Sequence, residues 1–145
     1  MLQGLTVVDS PEAMARVVAC LMVADTELDP REVGVLDELD AFRRLGIERG
    51  AFMREARVFC AELGQRMGAR AWLRLSDVAL IDEVLAGVAD PAKRLLVARL
   101  VAGVITADGR VKDIERLMFD HMLCRWGLTR SQVSRAILND RRLAA

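Results

Sequence analysis

An internal repeat constrains the fold of this chain more than any single motif does. Residues 15–25 read ARVVACLMVAD and residues 98–108 read ARLVAGVITAD, so six of the eleven aligned positions are identical. The same offset of 83 residues joins Glu32 to Glu115 further along the chain. Such a repeat predicts two copies of one supersecondary unit that bury their apolar faces against each other.

Four polar positions recur in the two copies, and the recurrence marks them as structural or functional. The recurring pairs are Arg16 and Arg99, Asp25 and Asp108, Glu32 and Glu115, and Asp37 and Asp120. After a two-residue slip, residues 44–49 also match residues 125–130, and each segment has a glycine followed by an apolar residue. This pattern is typical of a helix that ends in a Schellman motif. Both copies are therefore predicted to end a helix just before Gly46 and Gly127.

Helical signals cover the chain, and no segment shows the alternating pattern of a β-strand. A Ser-Pro pair at residues 10–11 and an Asp-Pro pair at residues 90–91 each place a capping side chain before a proline. These pairs predict the starts of two equivalent helices. The two helices, at about 11–25 and 91–107, are apolar nearly all round, which is typical of helices inside a bundle.

The remaining predicted helices complete the bundle. They lie at about 30–45, 48–66, 77–88, 111–126 and 129–141. The predicted fold class is therefore all-α, a seven-helix bundle with an internal pseudo-repeat. A single domain spans residues 1–145, with repeat halves at about 10–66 and 90–142 and a linker helix at about 77–88.

Composition places the chain among globular proteins. It has 145 residues, of which 53% are hydrophobic and 29% are charged, enough for one domain with a substantial core. Residues 1–13 lack the basic and apolar regions of a secretory signal. The longest apolar stretch, Val17–Ala24, is far shorter than the ~20 residues of a membrane span. We therefore expect a soluble protein in the cytoplasm.

Charge is distributed unevenly, although the formal net charge is zero. Residues 1–42 carry a net charge of −7, residues 43–74 carry +5 and residues 75–145 carry +2. A bipolar surface suits docking to a protein partner or peripheral association with a membrane, whereas a solvated helix face is the plainer interpretation. No motif that reads DNA or RNA is present, so we expect no nucleic-acid partner. The pattern does not indicate an oligomeric state.

Residues suited to nucleophilic or metal chemistry are few. Cys20, Cys60 and Cys124 lack the paired spacing of a zinc site and sit among apolar neighbours, which predicts buried free thiols. His121 is the single histidine, and its position predicts exposure to solvent. With no Ser/His/Asp or Cys/His arrangement and no Gly-rich phosphate loop, we expect a protein that is not an enzyme. A metal hydrolase built from carboxylates alone is the remaining catalytic alternative.

The recurring carboxylates form the candidate site. Asp25 and Asp108 end their helices, where the partial negative charge of a helix C-terminus disfavours a carboxylate. Glu32 and Glu115 follow seven residues later, in the first turn of the next helix, where the dipole favours them. We refer to these four residues as the acidic set: Asp25, Glu32, Asp108 and Glu115.

Two interpretations of the acidic set stay open. In the structural one, the carboxylates cap turns and pair with the arginines Arg16 and Arg99. In the functional one, two copies packed about a pseudo-two-fold axis bring the set together as oxygen ligands of a divalent cation. The spacing is not that of an EF-hand, because the twelfth position counted from each aspartate is Leu36 or Phe119 instead of glutamate.

The second copy carries a family resemblance. Residues 107–111 read ADGRV, are followed by Glu115 and are preceded by a helix of small apolar residues. This pattern resembles the signature of the tellurite-resistance TerB-like domains, which also occur at the start of some membrane-anchored DnaJ-type co-chaperones. The resemblance extends over nearly the whole chain, and the first copy departs from the signature at Thr26, where glycine is usual, and at Glu27.

The resemblance implies a function without catalysis. It indicates an accessory domain of the stress-response type, with an acidic face that binds a metal ion or a protein partner. Two alternatives remain beside it. One is a purely structural or oligomerisation domain, and the other is a co-chaperone-like module at the inner membrane surface.

Overall fold

The computed structural model is helical throughout the part of the chain that it describes, which comprises residues 7–22, 30–67, 75–106 and 113–144. No strand occurs within these ranges, so the predicted all-α class is confirmed. None of the helices there is long and apolar enough to cross a membrane. The eight helices of these ranges are α1 (Pro11–Met22), α2 (Pro30–Glu38), α3 (Ala41–Leu45), α4 (Arg49–Met67), α5 (Leu75–Leu85), α6 (Pro91–Ile105), α7 (Asp113–Trp126) and α8 (Arg130–Ala144).

The first helix, α1, lies at the centre of the bundle. It is buried along its whole length except at Pro11, Glu12 and Arg16. It contacts α3, α4, α5, α6 and α7, so apolar surface meets it from several sides. Each fully buried aliphatic side chain contributes about 1.5–3 kcal/mol. The burial of α1 is therefore a major contribution to the free energy of folding.

The counterpart of α1 in the second copy is α6, and the two helices are in contact as the repeat predicts. α6 is less enclosed than α1. Val97, Leu100 and Val104 are buried, whereas Leu95 and Ala102 are only partly so. It also contacts α2, α7 and α8. The superposition of the two halves as a whole stays a prediction.

Side chains cap the N-termini of three helices at positions that the sequence predicts. Ser10 and Asp90 each accept a hydrogen bond from the backbone N–H three residues later, at 3.1 and 3.0 Å. Thr129 and Gln132 form a reciprocal capping box, in which each side chain accepts the other residue's N–H at 3.1 and 2.7 Å. These bonds satisfy amides that a helix cannot pair internally.

The predicted helix ends at the two matched glycines are also confirmed. Gly46 and Gly127 have positive φ values of 79° and 67°. The residue after each glycine donates its N–H to the carbonyl five residues earlier, at 3.0 Å in the first copy and 2.9 Å in the second. This is the hydrogen bond of a Schellman motif, and glycine adopts the required left-handed conformation at no steric cost.

The predicted helix at 30–45 is wrong as a single element. A turn at Leu39 and Asp40 divides it into α2 and α3, which raises the number of helices from the predicted seven to eight in the described ranges. Asp40 adopts a left-handed conformation with φ 57°, which aspartate tolerates better than most residues. Its carboxylate binds Arg43 in the first turn of α3. The linker helix is also shifted, because it begins at Leu75 instead of 77.

The segment before α1 is tied to the connection between α5 and α6. The N–H of Asp9 donates to the carbonyl of Gly87 at 2.8 Å, and the Asp9 carboxylate accepts the N–H groups of Ala89 and Asp90 at 2.6 and 2.9 Å. Lys93 Nζ donates to the Asp9 carbonyl at 2.8 Å. The N–H of Asp90, followed by that of Ala89, lowers the pKa of the Asp9 carboxyl, because both bonds favour the ionised form.

Ala19 provides a test of the central packing. This residue lies on α1 and is fully buried. Ala19→Leu therefore overpacks the core and should lower the free energy of unfolding by about 1–3 kcal/mol. The matched residue of the second copy, Ala102, is partly buried and lines an open cavity of about 380 Å³. Ala102→Leu should therefore cost less. Urea denaturation measures both values, and equal losses would contradict the central placement of α1.

The ionised Asp9 carboxylate provides a test that depends on pH. Because its folded-state pKa lies below the ordinary 3.8, it stabilises the fold above that value, and the contribution is lost as the pH falls through the folded-state pKa. Asp9→Asn keeps a residue that tolerates the positive φ of 64°. The variant should be less stable than the wild type at pH 7, and the gap should shrink near pH 3.

Denaturation at the two pH values checks this effect. Glu83→Gln, at an exposed position on α5, serves as the control for loss of a surface charge. A difference between the wild type and Asp9→Asn that is the same at both pH values would refute the role of the charge.

Candidate functional site

The structure places half of the acidic set. Glu32 lies in the first turn of α2, and Glu115 lies in the first turn of α7, as the repeat predicts. Asp25 and Asp108 lie outside the described residues. The predicted association of all four carboxylates therefore stays a prediction.

The two described members of the set share an unusual environment. Glu115 is 4% exposed and Glu32 is partly buried, and the Oε2 atom of each is buried. Removing a carboxylate oxygen from water is costly unless a donor, a cation or a proton compensates it. The positive end of the helix dipole supplies part of the compensation at both positions. A carboxylate oxygen is therefore buried at the matched position of each copy.

A metal centre depends on residues beyond those two. Within the described ranges, no group of three or more His, Cys, Asp or Glu side chains is arranged to hold a metal ion. Hard divalent cations take about six to eight oxygen ligands. A cation site at the acidic set would therefore need Asp25 and Asp108 in addition to Glu32 and Glu115.

The recurring Asp37 and Asp120 have a structural role. Arg49 Nε lies 3.3 Å from Asp37 Oδ1, and Arg130 Nη2 lies 2.7 Å from both carboxylate oxygens of Asp120. Each pair joins the second helix of a copy to the helix after the matched glycine. All four side chains are substantially exposed, so each pair contributes at most about 1 kcal/mol. Their recurrence reflects a shared helix-to-helix contact.

The recurring arginines differ between the two copies. Arg16 Nε lies 3.3 Å from Glu55 Oε2 on α4, a partner that the sequence analysis did not identify. The position that matches Glu55 after the slip is Ala136, so this ion pair is specific to the first copy. Arg99 lines the open cavity beside α6, together with Arg44. Burial, and to a lesser extent the charge of Arg44, lowers the pKa of Arg99.

The predicted exposure of His121 is correct only in part, because its side chain is 34% exposed. Its ring is about two-thirds buried, and Nε2 lies 2.6 Å from Asp82 Oδ1 on α5. Arg125 Nε lies 3.6 Å from the same oxygen. The contact joins α7 to α5 across 39 residues of sequence, and no local pattern indicates it.

The cysteine prediction is correct in part. Cys20 is buried as a free thiol, and desolvation raises its pKa to about 12, so it stays protonated. Cys124 is exposed, against the prediction. It lies on the outer face of α7, whereas the apolar residues next to it in the sequence face the core. The side chain of Cys60 lies outside the described residues.

Comparisons with known proteins identify no family. No protein-family model matches the chain, and neither a curated protein nor a solved structure shows significant similarity to it.

Proposed function

We propose that this chain is a non-enzymatic binding domain of the TerB-like type, whose acidic set takes up a divalent cation or a basic partner. The observation that supports the proposal is the matched burial of a carboxylate oxygen in Glu32 and in Glu115. The residues that precede each glutamate include the recurring aspartates Asp25 and Asp108. Two aspartates and two glutamates that recur at matched positions of the sequence are a donor set that suits hard cations.

Electrostatics favours a positively charged ligand for this set. If the four carboxylates lie together, as the proposal requires, they repel one another, and the repulsion grows as the oxygens are removed from water. A divalent cation relieves this repulsion more effectively than a single hydrogen-bond donor does. A basic segment of a protein partner would act through the same attraction, aided by the net negative charge of residues 1–42.

Two observations support a function without catalysis: the position of the single histidine and the motifs of the sequence. His121 binds Asp82 at a contact between two helices, which is a role in holding the bundle together. The chain has no motif for binding a nucleotide phosphate. We propose that the domain acts in the cytoplasm on a protein partner or at the inner membrane surface, through its uneven charge.

Metal titration tests the cation-binding function. Ca²⁺ or Mg²⁺ should raise the melting temperature of the wild type, because a ligand that binds only the native state stabilises it by about 2.7 kcal/mol at a concentration 100 times Kd. Asp108→Asn and Glu115→Gln should each remove this gain. The matched control is Asp120→Asn, which removes the same charge from the second copy but only breaks the exposed pair with Arg130.

The same variants distinguish the structural interpretation. If the acidic set only caps and bridges, calorimetry will detect no binding at millimolar metal, and the melting temperature will not respond to it. Asp108→Asn should then still destabilise the protein, because the turn loses charge-assisted hydrogen bonds. That combination would reject cation binding and leave a basic partner or a structural role.

A further inference from the structure

An open groove lies between the beginning of α6 and one face of α8. Its volume of about 400 Å³ is at the small end of the roughly 300–1,000 Å³ of ligand pockets. Neither Glu32 nor Glu115 lines it, so it is separate from the described part of the acidic set. We call it the α6–α8 groove, and its lining consists chiefly of Leu95, Leu128, Gln132, Arg135, Ala136 and Asn139.

The floor of the α6–α8 groove is apolar. Leu95 on α6 and Leu128 just before α8 are partly buried against the core, and Ala136 is 9% exposed. Pro91 and Ala92, in the exposed first turn of α6, form one side of the groove. Because none of these side chains forms hydrogen bonds, this part of the lining favours an aliphatic group of a ligand.

Three polar side chains of α8 border the floor. Gln132, Arg135 and Asn139 are exposed, and their spacing of three and four residues places them on one face of the helix. Gln132 Oε1 accepts the N–H of Thr129 at 2.7 Å, which leaves the NH2 group of Gln132 as a donor. Asn139 offers both a donor and an acceptor. Side-chain amides of this kind match the N–H and carbonyl groups of a peptide.

Arg135 gives the groove a positive charge that is accessible to solvent. No Asp or Glu is among the residues that line the groove. In the part of the chain that the structure describes, no carboxylate pairs with Arg135, whereas Arg130 on the same helix pairs with Asp120. The planar guanidinium group binds a carboxylate through two parallel hydrogen bonds. The lining therefore favours a ligand that carries a carboxylate.

The small volume requires the charge and the aliphatic group of a ligand to lie close together. In a peptide, one residue carries both a carboxylate and an aliphatic side chain only at the C-terminus. A glutamate within a peptide has the charge but no aliphatic group beyond the carbon atoms that bear it. A free amino acid carries an ammonium group as well, and the groove offers no carboxylate to bind it.

We propose that the α6–α8 groove binds the C-terminus of a protein partner whose last residue is aliphatic. The terminal carboxylate pairs with Arg135, and the last side chain lies on the apolar floor. Gln132 and Asn139 form hydrogen bonds with the last peptide group. This docking site goes beyond the cation binding proposed above and does not depend on the acidic set.

A titration with a short peptide tests the proposal. The probe is acetyl-Gly-Ala-Leu with a free carboxyl terminus, and binding is followed by the NMR chemical shifts of the wild-type chain. Binding should be saturable, with one site per chain, and the largest shifts should fall at residues 91–95 and 128–139. EDTA in the buffer separates this result from metal binding, so failure of either proposal leaves the other intact.

Two related peptides test which carboxylate is recognised. The same peptide with a C-terminal amide lacks the charge, and acetyl-Gly-Ala-Glu amide carries the charge on a side chain. Each should bind at least about tenfold more weakly than the free acid, because the charged hydrogen bonds to Arg135 are lost or displaced from the floor. The proposal is overturned if the wild type does not bind the free acid at millimolar concentration, or if either amide binds as tightly.

Two arginines of α8 provide a matched pair of variants. Arg135→Gln should weaken binding of the free acid by about tenfold or more. Because Arg135 is exposed, its replacement should leave the helical circular dichroism spectrum unchanged. Arg130→Gln removes the same charge outside the groove, where the side chain is 65% exposed, and should change the affinity by less than about twofold, since salt screens it. Equal losses in the two variants would contradict the proposal.

A second pair of variants tests the apolar part of the groove. Ala92→Trp places a large ring at the side of the groove and should block the peptide. Ser131→Trp makes a similar change at another exposed first-turn position, outside the groove, and should bind as the wild type does. Full binding by Ala92→Trp would place the peptide elsewhere and overturn the proposal.

Discussion

The burial of one apolar helix on several sides determines how the rest of this protein is arranged. α1 offers almost no polar surface, and α3, α4, α5, α6 and α7 all contact it. A helix of this kind is stable only inside a bundle, so the neighbouring elements must present apolar faces toward it. In the described ranges, the surrounding helices consequently carry most of their charged residues outward, and several polar contacts join neighbouring helices, such as Arg16 with Glu55 and His121 with Asp82.

The repeat distributes its polar residues between structural roles and candidate functional ones. Asp37 and Asp120 form the same type of ion pair in both copies, and the two matched glycines end their helices with the same hydrogen bond. These shared contacts explain why the two aspartates and the two glycines recur in both copies. Glu32 and Glu115 are also alike, because one carboxylate oxygen of each is buried. This burial has a desolvation cost that the surroundings of each glutamate must offset. Arg16 and Arg99 differ in their described surroundings, since Arg16 lies beside Glu55 and Arg99 lines the cavity beside α6.

Local signals predicted the parts of the fold that depend on neighbouring residues. Proline after a capping side chain, and glycine before an apolar residue, act within one helical turn and were read correctly at Ser10, Asp90 and Gly127. The break at Asp40 was not predicted, because aspartate adopts the left-handed conformation here and no glycine or proline marks the turn in the sequence. The contacts of His121 with Asp82, and of Arg16 with Glu55, each span 39 residues. The sequence indicated which residues belong to the acidic set. It did not indicate the cavity beside α6, because the residues that line the cavity come from elements distant in sequence.

The central position of α1 has a consequence for how the chain acquires its structure during synthesis. α1 leaves the ribosome before any of the helices that cover it, and the helices α6 and α7 follow it by some 70 residues or more. Contacts between segments so far apart require closure of a long loop and form slowly. Until the second copy has emerged, this apolar helix, which is buried nearly throughout in the folded protein, is only partly covered. The nascent chain therefore passes through a stage in which it is prone to aggregate and suited to capture by a chaperone.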